Sequence, residues 1–202
     1  MTATHRHDTF CNTMNTPAHA IINLLLFPKQ KREKHALIII AGALLPDAPM
    51  FTFYIWAKFS GLSESNIWRQ GYFDTHWQAL FDTFHSFPLL GLAWFIVWRT
   101  GMNRLSIFFA SMFMHSCFDF PIHHHDAHHH FFPLSDWRFL SPLSYWNPAY
   151  HGQIVGLIEL IVVIAGGAWL LRTSESKHLK LGAAFILFAY LIYWGFISLL
   201  WI

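Results

Sequence analysis

The residues best suited to chemistry lie in one stretch, 115–133, which reads HSCFDFPIHHHDAHHHFFP. It contains seven of the fifteen histidines of the chain together with two aspartates, Asp119 and Asp126. Imidazole nitrogen and carboxylate oxygen are ligands that suit zinc, manganese or iron. The stretch therefore predicts a site for a divalent metal ion.

The first part of this stretch carries the more specific pattern. His115 and Asp119 are four residues apart at the end of an apolar run, so both side chains lie on one face of a helix. Two ligands at this spacing can bind one metal ion or bridge two. The alternative is a carboxylate that orients a histidine without any metal. We favour the metal, because ionisable side chains in a membrane segment are costly and tend to be functional.

The tract HHHDAHHH that follows is too dense for every histidine to be a ligand. His124 and His128 would share a face of a helix, so we predict that the ligands of the tract come from this pair. Asp126 is predicted to be a ligand, a general base or the partner of a histidine. A weak metal-binding tract and a pH-sensitive loop are the alternatives.

The composition indicates that membrane helices position these residues. Of 202 residues, 54% are hydrophobic and only 12% are charged, whereas soluble domains contain about 25% charged residues. The formal charge of +2 is too small to indicate a nucleic acid partner. We predict an all-α polytopic membrane protein, with a polar extension at residues 1–15 and a single membrane domain at 16–202 that includes a His-rich outer loop at 121–150.

About six transmembrane helices are predicted from the apolar segments. The first opens at Thr16, as N-cap, and must continue through Pro28 to be barely long enough to span. Alternate connections carry nine lysines and arginines on one side and four on the other, which places both termini outside by the positive-inside rule. The predicted spans are residues 16–34, 35–59, 78–98, 105–120, 151–171 and 181–202.

This topology brings the intramembrane polar residues toward the face that carries the His-rich loop. Asp47 lies in mid-helix beside Pro46, where a proline break can turn it outward. The other candidates lie at outer helix ends. The predicted metal ligands are His19, Asp47, His85, His115 and Asp119, with one or two of His124, His128 and His151.

A series of short motifs occurs in the order TPAH at 16–19, LPD at 45–47, FHS at 84–86, HxxxD at 115–119 and FPLS at 132–135, followed by Arg138-Phe139 and Tyr145-Trp146. Together these motifs resemble those of the membrane-bound metal-dependent hydrolases of the YdjM-like family. The resemblance implies a helical inner-membrane protein that depends on a metal. The chain departs from the family pattern at Pro49, where a second aspartate is common, and in the extra His-rich tract.

We therefore predict metal-assisted hydrolysis of a phosphoester, such as a lipid headgroup, on the non-cytoplasmic side of the membrane. The metal is zinc, with manganese and iron as alternatives. Asp119 or Asp126 is the predicted general base, and Arg138 is predicted to bind an anionic headgroup.

Two other classes of function remain open. One is a non-catalytic metal-binding or transport protein of the membrane. The other is a di-iron oxidase, because His125-x-x-His128-His129 matches the HxxHH element of membrane desaturases and hydroxylases. The helices contain no HxxxH partner for that element.

Overall fold

The computed structural model describes residues 16–145 and 147–200, with the side chains of residues 193 and 196–200 outside that description. The predicted extension at residues 1–15 and the Trp146 motif position also lie outside the described residues. Every regular element in the described part is helical, as predicted. The helices are α1 Thr16–Leu26, α2 Lys29–Leu44, α3 Ala48–Phe59, α4 Glu64–Arg69, α5 Thr75–His85, α6 Phe87–Arg99, α7 Asn103–Asp119, α8 Gly152–Thr173 and α9 Lys177–Leu200.

Fewer helices than the predicted six are long and apolar enough to cross a membrane on their own. Within the described residues two segments qualify. One is Lys29–Phe59, which runs from the start of α2 to the end of α3, and the other is α8, Gly152–Thr173. A third qualifies if α5 and α6 count as one span bent by 42°. α1 has 11 residues and is about 16 Å long, and α7 has 17 residues and is about 25 Å long. Both are shorter than the apolar core of a bilayer, about 30 Å.

Two helix breaks explain why the sequence suggested longer spans. Pro28 lacks an N–H, and its backbone is extended where α2 begins, so α1 ends at Leu26 instead of continuing to residue 34. The predicted span at 78–98 is likewise two helices. It breaks at Ser86, whose hydroxyl accepts a hydrogen bond from the backbone N–H of Leu89 and so caps α6.

α7 packs between α2 and α6, and α1 packs against α2, α7, α8 and α9. A buried polar bridge fixes three of these helices. The Asn23 amide nitrogen lies 2.8 Å from both the carbonyl oxygen and the hydroxyl of Ser111. The Ser111 hydroxyl in turn donates to the carbonyl of Ile39 at 2.7 Å. α1, α7 and α2 therefore hold one register at this depth.

α2 and α7 approach each other most closely at Gly42. A Cβ atom at this position would lie 2.5 Å from the carbonyl oxygen of Phe108 and 2.9 Å from Cβ of Ser111. Small residues permit such backbone contact between helices, as in membrane proteins generally. The close approach brings the end of α2 against the last turns of α7.

The loop after α7 folds back over the end of that helix. The backbone N–H of Ser141 donates to His123 O at 3.0 Å, and that of Tyr145 donates to Ile122 O at 3.1 Å. Phe87 N donates to His130 O at 2.8 Å, next to the α5–α6 break. The His-rich loop is thus hydrogen-bonded to itself after α7 and to the first residue of α6.

Candidate metal centre

Four buried side chains from three parts of the chain converge at the ends of the helices. Asp47 ends the 3-10 turn Leu45–Asp47, and His85 is the last residue of α5. His115 and Asp119 lie on the last turns of α7. One ligand atom from each of the four residues lies within 4.8 Å of all the others. Four residues from three distant parts of the sequence thus form one compact group of donors.

The distances between these donor atoms fit a single small cation. Asp119 Oδ2 lies 2.9 Å from His115 Nε2 and 3.3 Å from His85 Nε2. Asp47 Oδ1 lies 3.5 Å from His115 Nε2 and 3.7 Å from His85 Nε2. Ligands about 2.0–2.1 Å from a tetrahedral zinc are about 3.3 Å apart. These four separations are therefore close to the spacing that zinc requires.

The two imidazole rings are oriented by backbone carbonyls. His85 Nδ1 lies 2.8 Å from Phe81 O, and His115 Nδ1 lies 2.7 Å from Ala43 O. A carbonyl oxygen only accepts, so Nδ1 of each ring carries a proton. Nε2 of each ring then faces the centre, and neither Nε2 has a hydrogen-bond partner. This is the arrangement that orients histidines as metal ligands.

The two carboxylates are buried without a permanent cation beside them. Asp47 is 3% and Asp119 is 1% exposed. In the described part of the chain, their ion pairs involve histidines and no lysine or arginine. Thr16 donates its hydroxyl to Asp47 Oδ2 at 2.5 Å. Because buried charges need compensation, these residues favour a bound cation.

Two further histidines face the other oxygen of Asp119. His19 Nε2 lies 3.1 Å from Asp119 Oδ1, and the His19 ring stacks on that of His115 with centroids 3.7 Å apart. His123 Nε2 lies 3.5 Å from the same oxygen, and its Nδ1 lies 2.9 Å from Asp126 Oδ2. Burial would lower the pKa of His123, but the Asp126 and Asp119 carboxylates raise it to about 10.

Two other histidines of the loop, His128 and His130, favour the neutral form. The His128 ring stacks on that of His85, with centroids 3.9 Å apart. Burial, together with repulsion from other histidines, lowers the pKa of His128 well below its ordinary value. Burial and the nearby His85 lower the pKa of His130 to about 4. A neutral imidazole is the form that binds metals, so both rings are available to a cation.

Some predicted ligands lie away from the centre. His124 is half-buried; its Nδ1 lies 2.6 Å from Ser141 O and its ring stacks on Tyr150. His151 is exposed and directly precedes α8, with a left-handed backbone, φ 62°. Arg138 is exposed on the loop. The structure therefore brings together Asp47, His85, His115 and Asp119, places His19 and His128 against them, and does not bring His124 or His151 into the group.

His123 is the residue that the sequence reasoning did not select. Residues 121–130 form turns rather than a helix, so the shared helical face assumed for His124 and His128 does not exist. His123 is four residues after Asp119, as His115 is four residues before it. That symmetric spacing was the available signal.

Comparisons with models of known protein families, with curated proteins and with solved structures find no match. The YdjM-like resemblance therefore stays a prediction from the motifs.

Asp82 joins the His-rich loop to α5 beside the centre. It is buried on α5, three residues before His85. One of its oxygens accepts from the backbone N–H of His129 at 2.8 Å, and the other lies 2.5 Å from His129 Nδ1. Because the next residue back, His128, stacks on His85, this contact fixes the loop against a proposed ligand. Asp82 is therefore a positioning residue.

We expect Asp82→Asn to loosen this loop and to weaken metal binding by about 10- to 100-fold, as loss of a ligand's supporting contact does. Hydrogen exchange of residues 123–134 and competition with a chelator measure the two effects. Asp74→Asn is the matched control, because Asp74 is exposed and caps the same helix at its other end. Unchanged exchange in Asp82→Asn would contradict the assignment.

Proposed function

We propose that the protein is an integral membrane, metal-dependent hydrolase that acts on a phosphoester, such as a lipid headgroup. Asp47, His85, His115 and Asp119 would hold a divalent ion, and two nitrogens with two carboxylate oxygens suit zinc, or manganese or iron. The observation that carries the proposal is the convergence of these four buried donors, with both Nε2 atoms facing the carboxylates.

The side chains of the centre have separate tasks in this proposal. A bound divalent ion supplies Lewis acidity and a lowered pKa for water. The carbonyls of Phe81 and Ala43 keep the two rings in the tautomer that presents Nε2. Thr16 holds the second oxygen of Asp47. The loop at 121–145 covers the buried donors and limits the access of bulk water.

The surroundings of the centre support a substrate in the membrane interface. Trp137 and Phe139 contact the ring of Phe120, which directly follows Asp119. Arg138, between them, is exposed and is proposed to bind an anionic headgroup. Exposed apolar side chains adjoin this segment, and Leu134 is 79% exposed. Exposed apolar groups beside a polar centre are typical of contact with lipid.

Membrane integration rests on the two or three candidate spans. The shorter helices α1 and α7 are proposed to cross or enter the bilayer only as members of the bundle. The asymmetry of lysine and arginine supports a non-cytoplasmic position for the centre. The YdjM-like motifs agree with this proposal, since they include His19, Asp47, His85, His115 and Asp119.

The deeper packing favours hydrolysis over transport. A transporter needs polar groups along a route through both leaflets. Beyond the Asn23–Ser111 bridge, the buried residues include Leu24, Ala36 and Ile107, which belong to one apolar cluster. A non-catalytic metal-binding protein remains the alternative that an activity assay separates.

The test is hydrolysis of phosphomonoester and phosphodiester lipid analogues in mixed micelles by the purified, zinc-loaded protein. We expect chelation to lower the rate by at least about 1000-fold, since metal catalysis contributes several kcal/mol, and zinc to restore it. His115→Ala should behave like the chelated protein. His178→Ala is the control, because His178 is exposed in the first turns of α9.

Two results would count against the proposal. A fully metal-loaded protein that hydrolyses neither class of ester would favour the non-catalytic alternative. Hydrolysis that persists after chelation, or in His115→Ala, would separate the activity from this centre.

A further inference from the structure

The carboxylate of Asp119 faces two different groups of donors. Its Oδ2 atom lies 2.9 Å from His115 Nε2 and 3.3 Å from His85 Nε2. Its Oδ1 atom lies 3.1 Å from His19 Nε2 and 3.5 Å from His123 Nε2. The residue is 1% exposed. Each oxygen thus has its own pair of imidazole nitrogens.

We infer that Asp119 bridges two metal ions, and that the second ion is bound by Asp119 Oδ1, His19 and His123. The inference rests on the proposed function, because the first ion is the one held with Asp47, His85 and His115. The distances of 3.1 and 3.5 Å bracket the separation of about 3.3 Å between ligands of a tetrahedral zinc. Metal ions in paired sites lie about 3.5–4 Å apart, a distance that one carboxylate can bridge.

The environment of His123 gives this inference a second, independent support. The residue is 5% exposed, and its Nε2 has no hydrogen-bond partner. Its Nδ1 lies 2.9 Å from Asp126 Oδ2. A carboxylate on one ring nitrogen and a metal on the other is a common arrangement of metal-binding histidines. The backbone bonds from Ser141 and Tyr145 hold the chain at His123 and Ile122, so the ring has a fixed direction.

The second site would differ from the first in the number of its protein ligands. The first site has four, whereas His19, His123 and Asp119 supply three. Catalytic zinc sites commonly have three protein ligands and keep one position for water or substrate. The second site, under the His-rich loop, is therefore the one that a substrate would reach.

A different explanation of His123 is an imidazolium shared between Asp119 and Asp126, with no second metal. The two explanations differ in stoichiometry. We expect the chelated and reloaded wild-type protein to bind two zinc ions per chain by elemental analysis. His123→Gln should bind one, whereas His125→Gln, on the exposed face of the same tract, should bind two.

Manganese gives a readout that needs no variant. At two equivalents, paired Mn²⁺ ions on a shared carboxylate should give an exchange-coupled electron paramagnetic resonance signal, with the six-line signal of isolated Mn²⁺ reduced. His19→Gln should restore the six-line signal at one ion per chain. His19→Gln tests the second site if His123→Gln fails to fold.

The outcomes separate the inference from the proposed function. One zinc in both wild type and His123→Gln, with an uncoupled Mn²⁺ signal, would overturn the second site and leave the first intact. Two zinc ions in His123→Gln would overturn the role of His123. No bound metal in the wild type would remove the first site and the proposed function together with the inference.

Discussion

Asp119→Asn should lose its metal almost completely, with an affinity at least about 100-fold below that of the wild type. Loss of a mere supporting contact costs about 10- to 100-fold, whereas Asp119 approaches four histidines, His19, His85, His115 and His123. Asparagine keeps the shape but removes the charge and places an amide N–H₂ toward one pair of nitrogens. Elemental analysis and zinc competition with a chelator measure the effect.

Asp136→Asn is the matched control for this experiment, because Asp136 is an exposed aspartate of the same loop region. Its metal content should equal that of the wild type. Circular dichroism should show unchanged helicity in both variants. A wild-type metal content in Asp119→Asn would mean that the buried carboxylate is balanced by protonated histidines, and the metal centre would be rejected.

Gly42→Ala should damage the fold and the centre together. The added Cβ would lie 2.5 Å from the carbonyl oxygen of Phe108, a backbone atom that no side-chain rotation can move. Overpacking costs about 1–3 kcal/mol, and contact with backbone places this variant at the upper end. The adjacent Ala43 carbonyl accepts from His115 Nδ1, so separating α2 from α7 should also weaken metal affinity by about 10-fold or more.

Gly91→Ala is the matched control, because a Cβ there meets only the Phe113 ring at an ordinary 3.7 Å. It should be as stable as the wild type or slightly more stable, since alanine favours a helix over glycine. Thermal unfolding in detergent, with and without zinc, measures both variants. Equal unfolding temperatures for the two would show that the α2–α7 contact can relax.

Much of the centre was predictable from the cost of polar groups in a membrane segment. Asp47, His85, His115 and Asp119 stand out because each interrupts an apolar run, and the Pro46 break marks where a helix can turn. The predicted alternation of the spans placed these residues toward one face of the membrane, although the number of spans was overestimated. The positions of the polar residues relative to helix ends therefore mattered more than the number of crossings.

The proposed ligand in the His-rich loop, His123, was not predictable by the same reasoning. Helical spacing favoured His124 and His128, but residues 121–130 fold as turns, in which residues four apart share no face. His124 is instead held by Ser141 and Tyr150, far along the chain. Among the six histidines of the tract, His123 is distinguished by its contacts with Asp126 and Asp119. These contacts depend on the tertiary fold.

The helix breaks were only partly predictable from the sequence. Pro28 and Pro88 mark them in the sequence, yet hydropathy averages over each break and joins its two sides. The break at Ser86 also depends on contacts from the loop, since Phe87 N donates to His130 O and the Ser86 hydroxyl donates to Phe132 O. A long-range bond of this kind leaves no local pattern.

The shortness of α1 has a consequence for the biogenesis of the protein. A segment of 11 residues that includes His19 and Asn23 is too short and too polar to enter a bilayer independently. Its apolar side chains pack against helices translated much later; Leu25, for example, lies against Gly166 of α8. The packed position of α1 therefore depends on helices that leave the ribosome after it. Because His19 lies on α1, we expect the proposed centre to be complete only once α8 is in place.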